Sequence, residues 1–124
     1  MPVLTMADAR PHHLHGARFE SLVAPSSGST ELCAWRTTVA AGTHGQPHTI
    51  DHEEVLLVLA GTPTVTLDGT PTCLAPGSVI FAPAGIDIRL DNYSDEQAQL
   101  WVTTVVGLTA STRSGDRIVP PWTL

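Results

Sequence analysis

Apolar and polar residues alternate in short runs along this chain, and turn-forming residues interrupt each run before a helical period can develop. The runs at residues 31–39, 54–60, 64–67, 72–74, 78–82, 87–90 and 97–106 are rich in Val, Ile, Leu and Thr and read as strands. None carries the stripe of apolar residues every third or fourth position that an amphipathic helix requires. Threonine alternation within 35–39 and 101–106 fits half-exposed strands. Residues 55–60 are apolar on both faces, as expected of a strand with one face in a barrel and the other against a second layer or a partner subunit. Asp68-Gly69 is a two-residue hairpin signal, and Pro76-Gly77 and Pro83-Ala84-Gly85 mark further turns. The pattern predicts an all-β domain without internal repeat. Residues 1–16 lack periodicity and read as an amino-terminal arm, 17–110 as the β-domain, and 111–124 as a carboxyl-terminal tail. Trp122 in that tail is too large and apolar to leave in water cheaply, so the tail is expected to pack onto the domain or onto a neighbour.

Composition narrows the function classes. A chain of 124 residues with 42% hydrophobic and 15% charged side chains is one globular domain. Twelve acidic against six basic residues give a net charge of −6 with no basic run, which argues against a nucleic-acid partner. The first residues lack the basic and apolar regions of a secretory signal, and no apolar run approaches a membrane span. A cytoplasmic protein without membrane contact is therefore expected. Cys33 and Cys73 show no metal-type spacing and are expected to be small buried hydrophobes.

Two sets of fixed spacings carry more. Gly42, His48, Glu54 and Gly61 are separated by five, five and six residues, and Gly77, Pro83, Gly85 and Asn92 follow after a short linker that holds the hairpin signal. These positions resemble the two signature motifs of the cupin family, over roughly residues 31–106. The resemblance implies a single-domain cupin, a double-stranded β-helix or jelly-roll barrel with its pocket between the sheets, and a homodimer paired through outer strands. Gly61, Gly77, Gly85 and Pro83 speak for fold alone, since they supply turn conformations other residues reach only with strain.

The departures from the family pattern bear on chemistry. In metal-binding members the ligands are two histidines and a glutamate of the first motif and a histidine of the second. Here His48 and Glu54 keep their positions, but Ile50 and Ile88 stand where the other two histidines belong. A hydrocarbon donates no lone pair, and catalytic zinc or non-haem iron usually needs three protein ligands. No cofactor is favoured on this reading. His48 and Glu54 then act as an acid–base pair in an apolar pocket, suited to isomerisation, epimerisation, cyclisation or dehydration of a small organic molecule. Ile50, Ile88, His52 and Trp35 would line that pocket and favour an apolar or aromatic ligand. Two alternatives stay open. A rearranged site of His48, His52 and Glu54, with His44 swinging in from its glycine-bounded loop, would hold zinc, nickel, manganese or iron. Otherwise the barrel binds a small ligand without catalysis, with His48 and Glu54 merely satisfying each other. A purely structural Glu54 would instead hold a backbone amide or Arg89. Glu53 points opposite to Glu54 on a strand and reads as solvated. The "HHLH" cluster of His12, His13 and His15 reads as exposed polarity.

Overall fold

The computed structural model describes residues 3–124, and Met1 and Pro2 of the amino-terminal arm lie outside it. The described residues form twelve strands in two six-stranded antiparallel sheets that face each other. In chain order they are β1 (Arg10–Leu14), β2 (Ala17–Val23), β3 (Leu32–Val39), β4 (His48–Ile50), β5 (Glu54–Ala60), β6 (Thr64–Leu67), β7 (Thr70–Cys73), β8 (Val79–Ala82), β9 (Asp87–Asp91), β10 (Ala98–Val105), β11 (Ala110–Thr112) and β12 (Arg117–Ile118). One sheet runs β1-β2-β3-β10-β5-β8 and the other β12-β11-β4-β9-β6-β7, so the chain passes repeatedly from sheet to sheet as a jelly roll does. Among the described residues only single 3₁₀ turns interrupt the strands, at Met6–Asp8, Pro25–Ser27 and Pro121–Thr123, and no helix is long and apolar enough to cross a membrane.

The alternation seen in the sequence becomes the inside and outside of the barrel. Along β10, Ala98, Leu100, Val102 and Thr104 are buried and the residues between them are partly exposed. The inward set meets Cys33, Trp35 and Val39 of β3, Leu56 and Val58 of β5, Val65 of β6 and Ile88 of β9 in one core. Burying a side chain of the size of Leu100 is worth about 1.5–3 kcal/mol. The Asp68-Gly69 hairpin joins β6 to β7 with φ of 46° and 84°, the left-handed values that signal demands. Gly61 closes β5 at φ 82°, where a Cβ would also lie 2.8 Å from the Ala98 Cα, so both conformation and space require glycine. Asn92, fully buried, places Nδ2 within 2.8–3.3 Å of the carbonyls of Glu96, Val39 and Ala40 and accepts from the Ser94 hydroxyl at 2.7 Å. The last residue of the second motif is thus a loop clamp.

Four expectations are corrected by the strand pairing. The arm does not stand apart from the β-domain, because residues 10–14 form β1 and pair with β2 in register Arg10 to Ser21 through Leu14 to Ala17. An edge strand of this kind tolerates Pro11 and the exposed His13, which hid its period; His12 is not exposed polarity but half-buried, its ring centroid 6.4 Å from that of Trp122. The barrel does not end at residue 110, because β11 continues the second sheet against β4 and β12 follows it. Cys33 is buried as expected, whereas Cys73 is exposed, since all of β7 lies at a sheet edge with both faces open.

Candidate active site

A cavity of about 840 Å³ opens between the two sheets. Ile50, Leu56, Ile88, Leu90, Val102 and Leu108 supply hydrocarbon walls, and His48 and Glu54 both reach it.

His48 begins β4, where it pairs with Ile88 of β9 on one side and Thr112 of β11 on the other. Strand parity turns His48 and Ile50 to the same face. The His48 Nδ1 lies 3.0 Å from the Gln46 carbonyl oxygen, which only accepts, so Nδ1 carries a proton and donates it. In the neutral ring this leaves Nε2 as the basic nitrogen.

Glu54 opens β5, opposite Ala82 of β8, and shares its inward face with Leu56 and Val58. It is only 8% exposed. Among the described residues no group hydrogen-bonds its carboxylate, and burial pushes the carboxyl up from an ordinary 4.5 to about 7. The structural reading in which Arg89 satisfies Glu54 does not hold. The Arg89 Nε donates to buried Asp91 at 2.7 Å instead. Glu54 is therefore a near-neutral acid whose oxygens are left to whatever fills the cavity.

The remaining candidates separate cleanly. Ile50, Ile88 and Trp35 line the cavity as expected. His52 does not. β4 ends at Ile50, a bend at residues 51–53 breaks the strand parity, and the His52 imidazole sits outside, half-exposed, with Nδ1 2.8 Å from Asp51 Oδ1. His44 packs edge-on against exposed Tyr93 at 5.4 Å between ring centroids and is absent from the cavity wall. The rearranged set of His48, His52 and Glu54 is thus not assembled, and among the described residues no group of three or more His, Cys, Asp or Glu is placed to hold a metal ion. His48 and Glu54 are two donors flanked by Ile50 and Ile88, which does not fit the three-ligand minimum of a catalytic zinc or non-haem iron centre.

Sequence reasoning missed part of the wall. Phe19 of β2 and Trp122 of the carboxyl-terminal 3₁₀ turn both line the cavity and stack on each other, with centroids 3.7 Å apart and planes within 1°. The tail thus packs on its own barrel, the first of the two places open to Trp122. For Phe19 no signal was available, because its inward-facing neighbours along β2, Ala17 and Ser21, are too small and mixed to mark an apolar face. Arg113 and Asp116, from the β11–β12 hairpin, reach the rim, and the Arg113 guanidinium holds Asp87 at 3.2 Å.

Comparison with known proteins bears on the fold. The family model described as Cupin domain matches residues 35–106, more than half of the chain. Among curated proteins none matches the sequence. Similar solved structures include the polyketide cyclase RemF from Streptomyces resistomycificus, 17% identical over 85% of this chain and 79% of that one, with a TM-score of 0.77. An RmlC-like cupin from Shewanella frigidimarina is 22% identical over 80% of this chain and 85% of its own, with a TM-score of 0.69. A sugar phosphate isomerase from Silicibacter pomeroyi is 15% identical, covers 96% of this chain and 93% of its own, and has a TM-score of 0.73.

Proposed function

The chain belongs to the cupin domain family, and from that premise we propose that its barrel is the active site of a small-molecule enzyme that moves protons between Glu54, His48 and an apolar organic substrate. The observation that carries this reading is a buried carboxyl that faces a large apolar cavity with no protein partner among the described residues. A group that served only the fold would be satisfied by the fold.

The chemistry follows from the pair. A carboxyl titrating at about 7 gives or takes a proton with little driving-force penalty near neutral pH. The His48 Nε2 is the complementary site, fixed as acceptor by the donation of Nδ1 to Gln46. With a ketone substrate, one of the two removes a proton from the carbon beside the carbonyl while the other delivers a proton to the carbonyl oxygen, giving an enol. Return of a proton to another face or carbon completes epimerisation or isomerisation. Attack of the enol carbon on a second carbonyl completes cyclisation, and loss of a neighbouring hydroxyl as water completes dehydration. Ile50 and Ile88 keep water from competing for these protons. That similar barrels bear the names of a cyclase and an isomerase supports the capacity of this fold for such chemistry.

The test is solvent-deuterium exchange, followed by NMR, at the acidic carbon of a panel of cyclic ketones and 1,3-diketones. Native protein is expected to accelerate exchange of at least one probe, and Glu54→Gln and His48→Ala to lower that rate by about 10²–10⁴ with its binding retained. Undiminished exchange in both variants, or stoichiometric zinc, nickel, manganese or iron in protein purified without metal resin or chelator, overturns the reading. We further propose that the protein works as a homodimer joined through the apolar outer face of β5 and β8.

A further inference from the structure

The cavity's aromatic wall and its scarcity of cations narrow the substrate class. Three segments distant in sequence, β2, β3 and the carboxyl-terminal turn, bring Phe19, Trp35 and Trp122 to one wall, where Trp35 meets Trp122 edge-on at 6.3 Å and 63° while Phe19 and Trp122 stack. Ile50 and Ile88 supply hydrocarbon elsewhere in the same cavity. The chain contains no lysine, and Arg113 is the single arginine lining the cavity among the described residues. Arg113 is 72% exposed at the rim and already paired with Asp87. A phosphorylated sugar would find for its phosphate no arginine or lysine other than this paired one at the rim, and hydrocarbon or aromatic surface over most of the walls. A volume of about 840 Å³ leaves room for several fused rings.

We propose that this cavity takes a flat, fused-ring aromatic molecule bearing phenol or ketone oxygens, its rings against Phe19, Trp35 and Trp122 and its oxygens toward Glu54 and His48. The substrate assignment rests on the proton-transfer reading of the same site, but the aromatic wall is tested by binding alone. Trp122 is the specificity-determining residue. Its turn is held through main-chain oxygens, with the Ser21 hydroxyl donating to the Trp122 carbonyl at 2.8 Å and Arg10 and Ser26 donating to that of Leu124 at 3.1 and 2.8 Å. Replacing the indole therefore removes the ring and leaves the fastening of the turn.

The experiment is a tryptophan-fluorescence titration with 1,8-dihydroxyanthraquinone and, separately, with glucose 6-phosphate. The anthraquinone is expected to bind saturably and the sugar phosphate not to bind. Trp122→Leu should weaken anthraquinone binding about tenfold or more, the size expected when one stacked aromatic contact and its buried area are lost. Trp101→Leu, on the outer face, should leave binding as it was, with the circular dichroism spectrum of both variants native. Phe19→Leu takes the place of Trp122→Leu if that variant does not fold. Equal affinity in the wall variant, or binding of glucose 6-phosphate in preference to the anthraquinone, overturns the proposal. The binding arm separates the two readings. Anthraquinone bound by wild type, weakened in Trp122→Leu and unchanged in Trp101→Leu upholds the aromatic wall even where proton exchange fails.

Discussion

Burial pushes the Glu54 carboxyl from 4.5 to about 7, so between those values the folded protein holds a proton that the unfolded chain releases. The folded state binds more protons there, and stability must fall as pH rises. The contribution is fully present below 4.5 and is lost as pH climbs through about 7. Each tenfold change in proton affinity is worth about 1.4 kcal/mol, so the loss sums to about 3 kcal/mol. Glu54→Gln cannot ionise, so urea denaturation at pH 5 and pH 8 should show the variant near wild-type stability at the lower pH and more stable by about 2–3 kcal/mol at the higher. A wild-type and variant pair with parallel pH curves would mean that Glu54 is solvated. At this scale the sequence was informative about position and less so about direction. Spacing located His48, Ile50, Glu54 and Ile88, all of which reach the cavity. It could not place His52, because whether a strand continues or bends after Ile50 depends on the hydrogen bonds of residues 51–53 with a distant segment.

Those hydrogen bonds belong to the elements that hold the site open. Asp51, in the bend between β4 and β5, accepts from the Thr109 amide and hydroxyl, both at 2.7 Å, while its own amide donates to the Thr109 carbonyl at 3.1 Å. The loop entering β11 is thereby fastened to the bend that leads into β5 and Glu54. Burial acts against ionisation of Asp51, but the Thr109 donors and His52 outweigh it and hold the carboxyl well below the usual aspartate range. A depressed value stabilises the fold above the ordinary aspartate pKa and ceases to do so in acid. Asp51→Ala should cost about 1–2 kcal/mol near pH 7, a charge-assisted clamp trimmed by its partial exposure, and the gap to wild type should begin to narrow as pH falls below about 4 and keep narrowing into stronger acid. Urea denaturation from pH 7 down to about pH 2 reads it, and a gap that stays constant over that whole range would trace the loss to packing instead. β11 and β12 themselves were not legible in the sequence. Strands of three and two residues show no alternation, and they are held by pairing: β11 with β4, some sixty residues earlier, and β12 with β11.

For the whole molecule, the jelly roll was readable because its turns are dictated locally, by Asp68-Gly69 and Gly61, while its inward residues alternate with period two. What local pattern leaves open is the outer face. Val55 and Leu59 of β5 are 42% and 45% exposed, and Val79 and Phe81 of edge strand β8 are 63% and 54% exposed. Val55 pairs directly with Phe81 and Leu57 with Val79, so these side chains form one contiguous apolar surface that ends at an unpaired strand edge. An edge of that kind is a template for association unless charge or proline blunts it, and β8 carries neither. A second copy of the chain is the occupant we propose, since a two-fold pairing buries the same patch on both partners and closes the assembly. Val79→Asp combined with Phe81→Asp would then place four buried charges at the interface of one dimer. Sedimentation velocity should show the native protein at twice the mass of the double variant, and the variant should keep native circular dichroism because both side chains point away from the core. Exchange activity per subunit should persist in the monomer, because His48, Glu54 and the aromatic wall all come from one chain. A native protein that sediments as a monomer would refute the dimer while leaving the barrel's chemistry untouched.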